Sequence, residues 1–484
     1  MTPESPRRVW LRYIAVAMIA AAALGLRLWM LQSYLPLSPW VGGLTLTDAE
    51  MGRNLLAGRG WVGNRQMLEK ATAANLARNE MVDLEDLLPV NDGQPGSVAT
   101  VGAAHSPGYS VWFAASYWLG GAARYRYSQR MQAVLDTLGC LLLFLIGRSL
   151  WSTSAGLMAS GLYALWPAPA FLGNLTVAAS TDSFWFIAVA YGAVTTWRQL
   201  QRGATPWGTA IVAAAAFGGA CMNSTSFALP AAVGGVAALA AVLLNRRAWR
   251  MVACMVVAQM LVALMLTPWA SRNQRLFGQF SPVRGSFWQL AWASFGELPN
   301  PWGLGYEDKY YWNWIGENCS SCNDGEQSRR ARDFIINTVV LSRPFPRYVA
   351  NLVAWRLPAL LAVSHVPPGR YLESDAPLSR NALRRVLETA DLAVPVLFVL
   401  AGIGVVIVWR RRDAREAMLV AMAPTLFLTT FSLLFIVELR KTVPGFGFLV
   451  VPAGVAVSAI APVVAAGVRR LSSAVAVRLR RTTA

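Results

Sequence analysis

Long apolar runs separated by short polar, arginine-bearing stretches occupy almost the whole chain. A run of roughly 18 or more apolar residues crosses about 30 Å of hydrocarbon as helix. On that measure the pattern predicts an all-α polytopic membrane protein with about ten spans: 10–32, 128–149, 155–173, 183–200, 207–222, 225–244, 250–269, 390–409, 416–436 and 444–465. Any further spans would bring the range to ten to thirteen. The first run follows Arg7, Arg8 and Arg12 but lacks a clear small-residue cleavage site, so it reads as a retained helix.

Charge fixes a topology. Basic clusters at Arg7/Arg8/Arg12, Arg148, Arg198/Arg202, Arg246/Arg247/Arg250, Arg410/Arg411/Arg412/Arg415 and Arg469/Arg470 fall in every second loop. The excess of arginine on the cytoplasmic side then places both termini inside. Two apolar stretches, Tyr109 to Gly121 and Tyr348 to His365, break this alternation as spans and are expected to lie along the outer surface. The 1–484 chain thus reads as one transmembrane domain. It carries a first extracytoplasmic loop at 33–127, a short outer loop around Ser180 to Asp182, and a large extracytoplasmic region at 270–389. The expected location is a bacterial cytoplasmic (inner) membrane, with the active site on the extracytoplasmic side.

Composition agrees: 55% of residues are hydrophobic and 14% charged. The formal net charge of +18 does not indicate nucleic acid, because the arginines are spread through the loops. No nucleotide-binding loop, dinucleotide fingerprint or internal repeat is present. Intramembrane ionisable residues are scarce, Asp136 in the second span being the clear exception, which argues against an ion-coupled transporter. Gly234/Gly235 and Gly402/Gly404 read as helix-packing positions.

Chemistry concentrates in the outer segments. Thr47-Asp48-Ala49-Glu50 follows the first span. One reading is a helix start, with Thr47 or Asp48 as N-cap and NLLAGRG as a helix ending at glycine. The other is catalytic: glycosyl transfer from a lipid phosphate needs a carboxylate base for the acceptor and cations for the departing phosphate. Candidate cations on the same side are Arg272 and Arg275 in TPWASRNQRLFGQF, and Arg440 and Lys441 in VELRKTVPGFGF. Arginine offers a planar fork to phosphate oxygens and lysine a point charge.

Four segments, in order, resemble the GT-C class of integral membrane glycosyltransferases, especially its bacterial branch of protein O-mannosyltransferase and lipid A aminoarabinose transferase type. They are GRNLLAGRGW with HSPGYSVWFAASYWLGG, LWPAPAFLGNLTVAASTDSFWF, PWASRNQRLFGQFSPVRGS and ELRKTVPGFGFLVVPAG. PWxxRN is the most specific. The resemblance implies sugar transfer from a polyprenyl monophosphate carrier with inversion, to a lipid, polysaccharide or protein acceptor at the membrane. It makes Asp48 the base, Glu50 its helper or a metal ligand, and Asp182 the acid of the second outer loop. Arg272, Arg440, Lys441, Arg275 and His105 would hold donor phosphate, and Tyr109, Trp269 and Asn273 would line the sugar or acceptor site. The first loop also offers Asp83, Glu85, Asp86 and Asp92 as substitute bases. A divalent cation, Mg or Mn, is the candidate cofactor, with Glu50 and His105 as its ligands. Different classes of function share this hydropathy: a lipid-linked glycan flippase, or an O-antigen ligase or polymerase that uses a diphosphate donor.

Cys319 and Cys322 form a lone CxxC with no second pair, which in an outer loop predicts a local disulfide rather than zinc. Cys140, Cys221 and Cys254 fall in helices as packing residues. His365, before VPPGRY, matches no motif. The insert 66–98 begins as an amphipathic helix and ends in NDGQPGS, and it is expected to act as an acceptor-side lid.

Overall fold

The computed structural model describes residues 6–34, 44–78, 83–87, 98–100, 107–175, 178–204, 206–223, 249–278, 280, 287–306, 308–322, 324–360, 377–434, 443, 445 and 447–482. The expected span 225–244, the end of the helix expected over 348–365, and His105, Asp92, His365, Arg440 and Lys441 lie outside these residues.

The chain is an all-α membrane protein. Among the described residues, five helices are long and apolar enough to cross a bilayer: Trp10–Gln32, Tyr125–Leu150, Leu392–Trp409, Ala414–Leu434 and Gly447–Arg470. They belong to α1 (Pro6–Tyr34), α5 (Tyr125–Leu150), α15 (Pro377–Trp409), α16 (Arg412–Leu434) and α17 (Val450–Thr482, preceded by a 3₁₀ turn). Packed with them are α6 (Thr153–Leu165), α7 (Pro167–Leu172), α8 (Asp182–Gln201), α9 (Trp207–Asn223) and α10 (Trp249–Phe277).

The run expected as one span over 155–173 is broken. Trp166 is extended, at φ −74° and ψ 121°, because Pro167 follows it, and Pro167 opens α7 as its first residue. Helices approach closely at small residues. A Cβ on Gly147 would meet the Gly156 Cα at 2.9 Å, and one on Gly454 would meet the Ala155 carbonyl oxygen at 2.6 Å. Gly404 likewise abuts Pro452, whereas a Cβ on Gly402 meets nothing within 4 Å among the described residues.

A polar pair sits inside this bundle. Arg27 of α1 is fully buried and donates to the Asp136 carboxylate at 2.5 Å. The expected lone charge of the second span is therefore neutralised by an arginine from the first.

Two caps pack against the bundle. The first contains α2 (Leu44–Leu56), α3 (Arg65–Arg78) and α4 (Pro107–Gly120), with antiparallel strands β1 (Val62–Asn64) and β2 (Val98–Thr100) pairing the two ends of the insert. Leu46, Ala49, Met67, Ala71, Leu84, Tyr109, Phe113 and Tyr117 form its core. This half of the insert is thus a packed element; the NDGQPGS tail lies outside the described residues.

The second cap holds α11 (Phe287–Phe295), α12 (Asp308–Cys319), α13 (Asp324–Phe334) and α14 (Phe345–Leu360) around Trp292, Tyr311, Ile315 and Tyr348. Cys319 and Cys322 are joined as a disulfide. Arg356 of α14 is buried and donates to Glu297, to the Ser294 carbonyl and to the Leu433 carbonyl, each at 2.8 Å. The first two bonds tie α14 to the α11 end of the cap, and the third fastens the cap to α16.

Candidate functional site

The site is built on α2 and α4. The helix of Leu44–Leu56 begins before Thr47, so neither Thr47 nor Asp48 is its N-cap; Asp48 lies inside the helix. Its end is as expected: Gly58, at φ +73°, takes the left-handed conformation that lets the chain turn away. Asp48 and Gly52, four residues apart, share the face turned to α4. A Cβ on Gly52 would meet the Phe113 Cβ at 2.5 Å and the Ser110 carbonyl oxygen at 2.9 Å. That close crossing brings the Ser110 hydroxyl to Asp48 Oδ1, to which it donates at 3.1 Å. Asp48 is buried yet stays hydrogen-bonded, as a buried carboxylate requires.

Glu50 points elsewhere. Its carboxylate accepts from Arg53 Nε at 2.8 Å, Arg53 Nη2 at 2.9 Å and Asn54 Nδ2 at 2.9 Å. Asn54 also donates to the Val62 carbonyl at 2.7 Å, so this network ties α2 to β1. The arginine fork on both carboxylate oxygens neutralises Glu50 where it stands.

The second acid arrives from the other side of α4. Asp182 is the first residue of α8 and is buried, and Asn223 at the end of α9 donates to its Oδ1 at 2.9 Å. Asn223 in turn backs onto the first turn of α4, where a Cβ on Gly108 would touch its backbone nitrogen at 2.8 Å. Asp48 through Ser110, and Asp182 through Asn223, therefore meet the same turn of α4.

Tyr109 lies between them, fully buried, and burial pushes its phenol pKa up. Its hydroxyl meets the Gln132 amide at 2.8 Å. With Gln132 Oε1 turned toward the hydroxyls of Tyr109 and Ser180, 2.8 Å each, its NH₂ reaches the carbonyls of Gly173 and Leu175 at 3.1 Å each. Only this orientation matches donors with acceptors.

The PWASRN segment joins the first cap through aromatic contact. Trp269 and Trp61, the residue before β1, lie edge to face at 5.1 Å. The Arg272 guanidinium stacks over Trp269, 4.5 Å from the ring centroid, and donates to Asn273 Oδ1 at 3.0 Å. Half-burial lowers the Arg272 pKa, through desolvation, without threatening its charge. The Trp269 indole N–H is buried and finds no acceptor among the described residues. Asn273 is buried, while Arg275 is exposed and bonds back to its own helix at the Ser271 carbonyl.

The other acids of the first loop clasp the start of α5. Asp83 accepts from the Tyr125 backbone N–H at 2.8 Å, Glu85 from the Ala123 N–H at 3.2 Å, and Asp86 from Arg124 at 2.8 Å. Burial raises the Asp83 pKa, opposed by its hydrogen bond from Tyr125 and by Arg124. Among the described residues, Cys319, Cys322 and Glu326 also form a cluster of metal-ligand type, but its two sulfurs are bonded to each other.

Ser110, Asn223, Gln132 and Trp61 are site residues that motif reading does not single out. Ser110 had a signal, since it sits beside Tyr109 in the SPGYS run; Asn223 at the end of an alanine-rich helix had none.

No known protein family matches the sequence, and neither does any curated protein. Solved structures do match the fold. The apo oligosaccharyltransferase of Archaeoglobus fulgidus aligns with 98% of this chain at a TM-score of 0.53 and 14% identity. The same organism's AglB, in complex with an inhibitory peptide and a dolichol-phosphate, aligns with 97% at 0.51 and 13%. A form tethered to an acceptor peptide aligns with 93% at 0.50 and 12%. The chain spans about half the length of these proteins, namely 53%, 52% and 50%. The likeness is one of fold, shared with these archaeal oligosaccharyltransferases.

Proposed function

We propose that this chain is a membrane glycosyltransferase that takes a sugar from a polyprenyl monophosphate carrier and passes it, with inversion, to an extracytoplasmic acceptor. The observation that carries this reading is the convergence of Asp48 and Asp182, each buried and held by a neutral donor, on the first turn of α4. A flippase does not need two buried carboxylates held in this way. Asp48 is the general base: its carboxylate takes the proton of the acceptor hydroxyl or amine as the bond to the anomeric carbon forms and the bond to the carrier phosphate breaks. Asp182 steadies developing positive charge or orients the acceptor.

Arg272, flat on Trp269, meets the leaving phosphate, and the Trp269 N–H supplies a hydrogen bond to a substrate oxygen. Arg440, Lys441 and His105 are further phosphate ligands on this reading, and Tyr109 and Asn273 shape the sugar or acceptor pocket. If a divalent cation takes part, carboxylate oxygens of Asp48 and Asp182 are the donors that suit Mg or Mn. It would supply charge neutralisation of the phosphate. Glu50 would have to leave Arg53 to join such a set, which makes its position beside Arg53 more consistent with supporting α2.

The setting we propose is a bacterial inner membrane, both termini cytoplasmic, with the two caps outside. Fold likeness does not determine the donor, so donors must be tested directly. Purified full-length protein in nanodiscs is supplied separately with polyprenyl monophosphate and polyprenyl diphosphate sugars, and transfer is read by mass spectrometry. Turnover with the monophosphate, lost in Asp48→Asn, supports the reading. Turnover with the diphosphate alone replaces it by the ligase or polymerase reading, and no turnover with unaided lipid translocation replaces it by the flippase.

A further inference from the structure

The loop that carries Asp182 is held from beneath by one stripe of α5. Ser128, Gln132, Asp136 and Cys140 recur every four residues and are all buried. Gln132 grips both ends of the loop, through the carbonyls of Gly173 and Leu175 and the hydroxyl of Ser180. Gln129 adds a bond to the Asn174 carbonyl at 2.9 Å. One turn further along, Asp136 lies directly under Gly173, whose added Cβ would sit 3.7 Å from the Asp136 Cβ.

Asp136 is itself fixed by Arg27 and by the Tyr163 hydroxyl at 2.7 Å. Arg27 also donates to the Ala23 and Ala164 carbonyls, at 3.0 and 3.2 Å. The Asn174 side chain closes the circuit, donating to the carbonyls of Arg27 and Ala170 at 2.9 Å each. The turn 173–175 is thereby bonded to α1, α5 and α7 together. A buried ion pair is often no more stable than well-packed apolar residues in its place, so stability alone does not account for this one.

We propose that Gln132 and the Arg27–Asp136 pair are positioning residues, which set the turn 173–175 and the turn 178–181 and through them the place of the Asp182 carboxylate beside α4. This rests on the glycosyl-transfer reading for the role of Asp182. The chemistry stays with Asp48 and Asp182; the α5 stripe fixes where one of them stands.

The test separates positioning from stability. Removing one charge alone strands the other in the bilayer and risks misfolding, so both are removed together as Arg27→Met/Asp136→Leu, with Gln132→Leu as an independent second variant. Full-length proteins in nanodiscs are compared by thermal unfolding, by amide hydrogen exchange over 173–182, and by steady-state transfer. The expected result is near-normal unfolding, exchange over 173–182 faster by about tenfold, and kcat lower by about 10- to 100-fold with the donor KM unchanged.

Either variant folding with normal exchange over 173–182, or with fast exchange and wild-type kcat, overturns the proposal, as does a fall in melting temperature with kcat per folded molecule intact. If the wild-type protein transfers no sugar from any polyprenyl-linked donor, the functional reading fails. The exchange measurement then still decides whether the α5 stripe positions the loop.

Discussion

The hydroxyl of Ser110 donates to the carboxylate of Asp48 across 3.1 Å, and that bond exists because α2 and α4 touch at Gly52. A helix crossing therefore sets the orientation of the candidate base's carboxylate. Asp48→Asn is expected to fold and to lose transfer by about 10²- to 10⁴-fold, the usual worth of a general base. Ser110→Ala should cost about tenfold in kcat, in line with losing a hydrogen bond to a charged group. Steady-state transfer with a fixed donor reads both.

Gly52→Ala inserts a methyl group where the Phe113 Cβ and the Ser110 carbonyl oxygen already stand. The Ser110 carbonyl belongs to the helix backbone and cannot move aside alone, so α2 and α4 must separate. Overpacking of this kind costs about 1–3 kcal/mol. Thermal unfolding in detergent should show the first cap loosening, with transfer reduced more than in Ser110→Ala.

Arg272→Lys keeps the charge but loses the flat stack on Trp269 and the two-pronged geometry. The donor KM should rise by about tenfold, and further in Arg272→Ala, with a smaller effect on kcat. Trp61→Ala, which removes the edge contact with Trp269, should act in the same direction. Titration of donor lipid against each nanodisc preparation measures this.

Asp83 gives the molecule a pH dependence of known sign. Burial raises its folded-state pKa above the usual 3.8, so the folded protein holds the proton more tightly than the unfolded chain. The corresponding stabilisation is complete below 3.8 and is lost as pH rises through the folded pKa. Over that window the stability of the first cap should fall with rising pH, and Asp83→Asn should flatten the curve. Melting temperatures measured upward from about pH 4 compare the two.

The membrane character, the helix at 107–120 and the glycine stop of α2 were legible because each follows from local pattern: run length, apolar spacing, and a residue that tolerates positive φ. Asp48 was harder to place. Thr47-Asp48 looks like a cap, but the helix starts at Leu44 because Leu46 and Ala49 are drawn into the core shared with α4. The break at Trp166 was available in Pro167 and Pro169 and was masked by the apolar residues around them.

The Arg27–Asp136 pair shows a different limit. Two charges in separate spans carry no signal of each other in sequence, and an arginine within an apolar run reads as a flank until the bundle closes around it. Ser110 and Asn223 are alike in this, since a hydrogen bond across a helix crossing depends on which faces meet.

Mass spectrometry of envelope lipids, glycans and polyprenyl-linked sugars tests the central claim most directly. Cells would carry the wild-type chain, its deletion, Asp48→Asn or Asp182→Asn, each variant checked for normal insertion. Loss of one sugar from a glycoconjugate in the deletion and in both variants, with its monophosphate carrier accumulating, is the predicted result. A sugar lost in the deletion but retained in both variants would contradict it, because the two acids at α4 would then not carry the reaction.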